Sequence, residues 1–365
     1  MRVLRLATAL TALCASADAC LAQTTAAPFY QGKQLSLIIN LSAGGPTDTE
    51  GRLVARHLGR HIPGNPTIVP RNMTGAGGIV AANWLGQVAP PDGLNLGFFS
   101  GVASASVMGV PSLKTDIANY SFAGSGWGVS VAFIRKNAGS GVNAPEDLMR
   151  QKDFWIGGLA IDSDKDLRMR LQLDLLGIPY KYVTGYPGAA DVRLAIQRGE
   201  VQMTAESLPS YRASVEPNLI ATGDAIALWL DIANEASAPR PKKAEGIKAT
   251  TFYDYFLRVK GKPPEGLLWE AFDITNTVAR GYERIMVMPP GVPSQALADV
   301  KTGIAALASD PDFLKDAMAT MRFAPDYETG AEFEATYKRM VRPDPRLIAF
   351  FKDYIEEGQK QSKRK

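Results

Sequence analysis

A short aliphatic run that leads through a glycine-containing loop into a helix is the feature that most constrains this chain, because it occurs twice. Leu35-Ser-Leu-Ile-Ile-Asn40 has the length and composition of a buried strand. The loop Leu41-Ser-Ala-Gly-Gly-Pro-Thr47 follows, and then a helical pattern from about Asp48 to His61. Thr47 with Glu50 three residues on fits a capping box, and Asp48 and Glu50 suit the positive end of a helix dipole. Leu53, Val54 and Leu58 form a buried stripe, Arg52, Arg56 and Arg60 a wet face, and Pro63-Gly64 stops the helix. Strand candidates at 67–71 and 94–99 flank the turn Thr74-Gly-Ala-Gly-Gly78 and a helix from about Ile79 to Val88. Strand and helix alternating at this spacing predict an α/β lobe with a largely parallel sheet.

After Gly124-Ser-Gly-Trp-Gly128 the pattern restarts. Ser130 to Arg135 reads as a strand, Pro145 to Arg150 as a short helix, and Phe154-Trp-Ile-Gly-Gly158 as a strand running into glycines. A helix from about Asp164 to Leu176 ends at Gly177; a strand at 180–183, the turn Gly185-Tyr-Pro-Gly188, a helix at 189–197 and a strand at 201–204 complete a βαβαβ unit. Two similar lobes are therefore expected. Asp231 to Lys248 is polar and proline-containing and reads as a surface excursion. Arg284-Ile-Met-Val-Met288 returns as a strand, and helices near Ser294 to Ala308 and from Pro311 onward fill the rest.

The amino terminus bears on compartment. Arg2 and Arg5 precede the apolar run Leu6 to Cys14, and small residues continue to Ala22, which is the layout of a secretory signal peptide over residues 1–22. Both cysteines, Cys14 and Cys20, fall inside it, so the exported chain holds itself together by packing rather than by disulfides. With 40 basic and 37 acidic residues well mixed, nothing marks nucleic acid as a partner.

Enzyme signatures fail one by one. The sequence has no G-x-S-x-G elbow, no phosphate loop of the G-x-x-x-x-G-K-[ST] type and no C-x-x-C. Its two histidines, His57 and His61, are spaced for one helix face, but the glutamate of a metalloprotease motif is absent, and exposed histidines are the expectation. No metal or cofactor is called for. Anion binding has a better seat: the loop Ser42 to Thr47, and Gly157-Gly158 leading to the helix at Asp164, both join a strand to a helix N-terminus. Unpaired N–H groups and the positive dipole end would hold a carboxylate there without any arginine. Either loop alone reads better as an ordinary turn; matching positions in two lobes bring the anion site level with that reading.

These residues resemble a known family. Ala43-Gly-Gly-Pro-Thr-Asp48 with Arg52 is similar to the first ligand loop of the Bug family, the extracytoplasmic solute receptors of tripartite tricarboxylate transporters. Asn72-Met-Thr-Gly-Ala-Gly-Gly78, Pro91-Asp92-Gly93, Gly185-Tyr-Pro-Gly188, Arg198-Gly199-Glu200, Pro289-Pro-Gly-Val-Pro293 and Asp310-Pro-Asp-Phe313 match further segments in order, over nearly the whole exported chain. The resemblance implies a type II periplasmic-binding-protein fold, with two α/β lobes joined by two crossover segments: residues 28–129 with 285–365, and residues 130–284. It also implies a monomeric periplasmic receptor that captures a small organic carboxylate for a permease of one large and one small subunit.

Carried over, the family's contacts fall on Ser42, Ala43, Gly44, Thr47 and Asp48 in the first lobe. In the second they fall on Gly158, Leu159, Ala160, Asp162 and Ser163, with Tyr186, Pro187, Gly188 and Ser207 nearby. The second loop departs from the small Gly/Ser pattern of the family: Leu159 and Ile161 would narrow the pocket, and an inward Asp162 would repel a second carboxylate. Trp127 is expected to pack in the core and Glu206 to be solvated. A receptor that signals to a membrane sensor instead of feeding a permease would use the same binding chemistry; a secreted enzyme is the third reading.

Overall fold

The computed structural model describes residues 27–233, 244–342 and 344–363, with side chains to residue 360. The expected signal peptide lies outside the described residues, as does most of the excursion expected at 231–248. Twelve strands are described: β1 Gln34–Ile39, β2 Thr67–Asn72, β3 Asn95–Phe99, β4 Ser121–Gly126, β5 Ser130–Arg135, β6 Trp155–Gly157, β7 Lys181–Val183, β8 Met203–Ser207, β9 Ala225–Asp231, β10 Thr250–Thr251, β11 Arg284–Met288 and β12 Tyr327–Glu328. They form two six-stranded sheets, ordered β12-β4-β11-β3-β1-β2 and β10-β9-β5-β8-β6-β7.

The helices of the first half are α1 Pro46–Leu58, α2 Ile79–Gln87, α3 Val102–Val107, α4 Asp164–Leu176, α5 Ala189–Arg198 and the single turn α6 Leu208–Ser210. A π-helical segment, Tyr211–Ile220, continues from α6. Then come α7 Phe252–Lys260, α8 Leu267–Gly281, α9 Ser294–Leu307, α10 Pro311–Met321, α11 Ala331–Met340 and α12 Pro345–Lys363.

The two sheets share one plan. In each, a central strand pairs in parallel with its two successors, β1 with β2 and β3, β6 with β7 and β8. Each sheet also takes one antiparallel strand that arrives from the other lobe: β11 lies between β3 and β4, and β5 between β8 and β9. The chain thus crosses once from β4 to β5 through Trp127-Gly128-Val129 and again from α8 to β11. β5 and β11 are aliphatic and almost wholly buried, as a strand packed on both faces must be.

Burial supplies most of the stabilisation. Leu37, Ile39, Leu53, Val54, Phe98 and Met286 pack between the first sheet and α1, and Val131, Phe133, Ile196 and Leu230 belong to the corresponding core of the second. Fully burying a side chain of this size contributes about 1.5–3 kcal/mol. At the end of β1, buried Asn40 bonds both ways to Ser100, donating to its carbonyl (2.9 Å) and accepting from its N–H (3.1 Å). Gly78, at φ +94°, lies so close to Asn40 Nδ2 that a Cβ there would collide with it, so the glycines of 75–78 serve packing and a turn.

The histidines depart from expectation. His57 is only 4% exposed, with Nε2 3.0 Å from Asp316 and its ring edge-on to Phe313, because α10 packs over that face of α1. The last helix, α12, lies against α8 and α4: Arg346 pairs with Glu270, Tyr354 donates to Asp174, and the Arg170 guanidinium stacks 4.6 Å from the Tyr354 ring.

Candidate functional site

The starts of α1 and α4 set the cleft between the lobes. α1 begins at Pro46 after an uncapped Gly45. The expected capping box is not formed, because Glu50 is drawn inward: it accepts from Arg284 Nε (2.9 Å) and from the Tyr327 hydroxyl (3.0 Å). Asp48 takes over the loop. Its buried carboxylate accepts from the Gly44 N–H (2.8 Å), from Arg52 Nε (2.9 Å) and from Asn72 Nδ2 (2.8 Å). Burial alone would raise its pKa, but the Arg52 guanidinium, the Gly44 N–H and Asn72 outweigh burial and hold it below the ordinary carboxylate value.

α4 repeats the arrangement. Ser163 caps it by accepting from the Asp166 N–H (3.4 Å), and Gly177 closes it in the left-handed region at φ +65°. Asp166 folds back as Asp48 does, its Oδ2 accepting from the Ala160 N–H (3.0 Å) and the Tyr182 hydroxyl (2.8 Å). A Cβ on Gly158 would overlap that carboxylate, which is the reason for glycine there. No arginine meets Asp166, so burial prevails and raises its pKa, against the pull of Lys165, Tyr182 and the loop amides.

Between these helix starts lies a cavity of about 300 Å³. Lobe 1 contributes Leu41, Pro46, Thr47, Ser100, Gly101 and Ser104; lobe 2 contributes Ser130, Leu159, Asp164, Lys165, Arg168, Ala189, Glu206, Ser207 and Ser210. Ala279, Arg280, Tyr282, Glu283 and Arg284, from the return crossing, complete the lining. Five serine hydroxyls and seven ionisable side chains other than tyrosine make the lining suited to a small polar molecule.

Of the residues named from sequence, Thr47, Leu159 and Ser207 line this cavity. Asp48 is buried in its own hydrogen-bond set behind the loop, and Gly158 is buried beneath Asp166. Ser42, Ala43, Gly44, Asp162 and Pro187 are exposed, and Ala160, Ser163, Tyr186 and Gly188 are half-buried at the margin. Two expectations are overturned. Glu206 is 2% exposed and takes two bonds of 2.8 Å from Arg193 Nη1, so it is not solvated. Three arginines, Arg168, Arg280 and Arg284, line a cleft expected to need none. Trp127 is half-buried against Phe333, ring centroids 5.5 Å apart.

Sequence reasoning missed Lys165, Arg168, Arg280, Glu283 and Arg284. The last three sit at the return crossing, where α8 ends at Gly281 and β11 begins at Arg284. Lys165 had a usable signal, since it directly follows the first residue of a helix whose start was legible.

Solved structures with the same architecture are similar over nearly their whole length. A TctC solute-binding protein from Polaromonas is 19% identical with a TM-score of 0.63, over 90% of this chain and 99% of that one. The periplasmic binding protein BugD is 18% identical with a TM-score of 0.57, over 89% and 98%. MatC from Rhodopseudomonas palustris, solved with bound malate, is 16% identical with a TM-score of 0.56, over 88% and 99%. The chain has the type II periplasmic-binding-protein fold. No family model matches the sequence, and no curated protein matches it.

Proposed function

We propose that this chain is a periplasmic receptor that closes its two lobes, residues 28–129 with 285–365 and residues 130–284, over a small organic carboxylate. The observation that carries the reading is the cavity lined from both lobes and from the crossing between them, with charged and hydroxyl side chains among its residues and two helix N-termini opening onto it. The malate bound in MatC, a protein of the same fold, supports a carboxylate as ligand. Ligand would be held at the cleft margin by the loops at Ser42–Thr47 and Gly158–Ser163, without turnover. The captured acid would pass to a permease of a large and a small subunit, the receptor working as a monomer exported through its signal peptide.

A thermal-shift screen of residues 24–365 with malate, adipate and benzoate against their amides tests this. Binding to the native state raises the melting temperature by mass action, so a rise with an acid and none with its amide is expected. A response to neutral compounds alone would leave the two-lobed receptor and remove the carboxylate.

A further inference from the structure

We propose that Lys165 gives the cleft its selectivity for an anion, the ligand's negative charge supplying the partner that this ammonium lacks; the inference rests on the receptor reading above. The case is an account of the ions around the cavity. Asp164 lies 3.6 Å from Arg168, Glu206 is held by Arg193 at 2.8 Å, and Glu283 lies 3.1 Å from Arg280 and 3.4 Å from Arg284. Arg284 is satisfied further by Glu50 at 2.9 Å. Each lining carboxylate is thus already committed. Lys165 Nζ is different: it is shut off from solvent and has no hydrogen-bond partner.

The Asp166 carboxylate attracts it through space, but its Oδ2 is spent on Ala160 and Tyr182, its buried Oδ1 has no hydrogen-bond partner, and no hydrogen bond joins the two side chains. A desolvated ammonium without a hydrogen-bonded counter-charge is costly in an empty cleft. Arg280, 6% exposed in the same cavity, likewise leaves its Nε unbonded. Lys165 and Arg280 line a space where the loops offer less than their glycines suggest, because Asp48 and Asp166 already occupy the Gly44 and Ala160 amides.

A backbone cradle selects the planar shape of a carboxylate; an ammonium is a point charge and selects charge. The test is calorimetric titration of wild type, Lys165→Gln and Lys165→Arg with malate, adipate and benzoate, and with malamide, adipamide and benzamide. Lys165→Gln is expected to bind the acid that wild type binds at least about ten-fold more weakly, with its preference for acid over amide collapsed, and Lys165→Arg to recover most of both. The ligand-free melting temperature separates this role from a structural one: Lys165→Gln should melt no lower than wild type, since it removes an uncompensated charge.

A lowered melting temperature would make Lys165 a structural partner of Asp166 and overturn the inference. So would a Lys165→Gln protein that keeps acid affinity within two-fold and the acid-over-amide preference intact, and the receptor reading would survive that result. A wild type that binds none of the acids would fell the carboxylate reading on which this rests, and Lys165's role with it.

Discussion

The two helices that open onto the cleft begin with the same geometry and end with opposite chemistry. Counted from the first helical residue, α1 runs Pro46, Thr47, Asp48 and α4 runs Asp164, Lys165, Asp166. The third residue of each is an aspartate that folds back onto a loop amide, Gly44 in one and Ala160 in the other. The second residue of each faces the cavity: a threonine in lobe 1, a lysine in lobe 2. The fifth is a buried ion of opposite sign, Glu50 against Arg168, and the seventh is arginine in both, Arg52 bonded to Asp48 and Arg170 stacked on Tyr354. Position on the helix fixes where a side chain points; residue identity decides whether it holds the loop, reads the ligand or ties the helix to its neighbours. Each aspartate takes an amide of its glycine loop, and the side chains that line the cavity begin in the first turn of each helix.

The largest effect is expected where the lobes differ most, at the fifth position. Glu50→Gln would leave Arg284, 7% exposed, with the weaker contact to Glu283 as its one carboxylate beside neutral bonds to Ser100 and the Glu283 carbonyl, and should cost about 3–5 kcal/mol in urea unfolding. A loss under about 1 kcal/mol would mean that the Glu50–Arg284–Tyr327 set is not what anchors α1 to β11 and β12. Next comes the third position. Asp48→Ala removes a buried carboxylate that accepts from Gly44, Arg52 and Asn72, and should cost about 2–4 kcal/mol. Asp166→Ala should cost less, because ionised Asp166 sits in a buried site without an arginine. Equal losses at the two positions would break the comparison.

Much of this was legible in the sequence, and the reason varies by element. β5, α4 and β11 appear with the boundaries read for them, because a compact aliphatic run, or a serine cap and a closing glycine, is local information. The start of α1 was misread because Pro46 and Gly45 moved the helix forward by two residues, and because Glu50 obeys partners 234 and 277 residues away rather than its own turn. Glu206 misled for the same reason, since Arg193, across from it on α5, is invisible until β8 and α5 are packed. The π-helical segment Tyr211–Ile220, with Pro217 inside it, follows no periodicity that a 3.6-residue template detects. The helix starts that open onto the cavity could be read from sequence, and the set of ions around it could not, because they come from three separate stretches of chain.

Two further tests sharpen the comparison. Gly158→Ala places a Cβ against the Asp166 carboxylate, so it should cost about 1–3 kcal/mol, and much of that should return in the double mutant Gly158→Ala, Asp166→Ala. Additive losses would show that the glycine serves something other than this carboxylate.

The smallest effect is the most discriminating, because its sign differs between the lobes. Asp48 has a folded pKa below the ordinary 3.8, so its ionised form adds stability that is complete above about pH 4 and is lost as pH falls through the folded value. The deficit of Asp48→Asn should therefore shrink below pH 4. Asp166 has a folded pKa above 3.8, so its ionisation subtracts stability as pH rises from 3.8 through the folded value. Relative to wild type, Asp166→Asn should look worst in mild acid and best near pH 7. Urea midpoints of the three proteins from pH 3 to 7 give the two slopes directly. Opposite slopes follow from one aspartate being bonded to an arginine and the other only to a tyrosine and amides, with Lys165 acting on it through space; slopes of the same sign would mean that burial or pairing dominates at both helix starts alike.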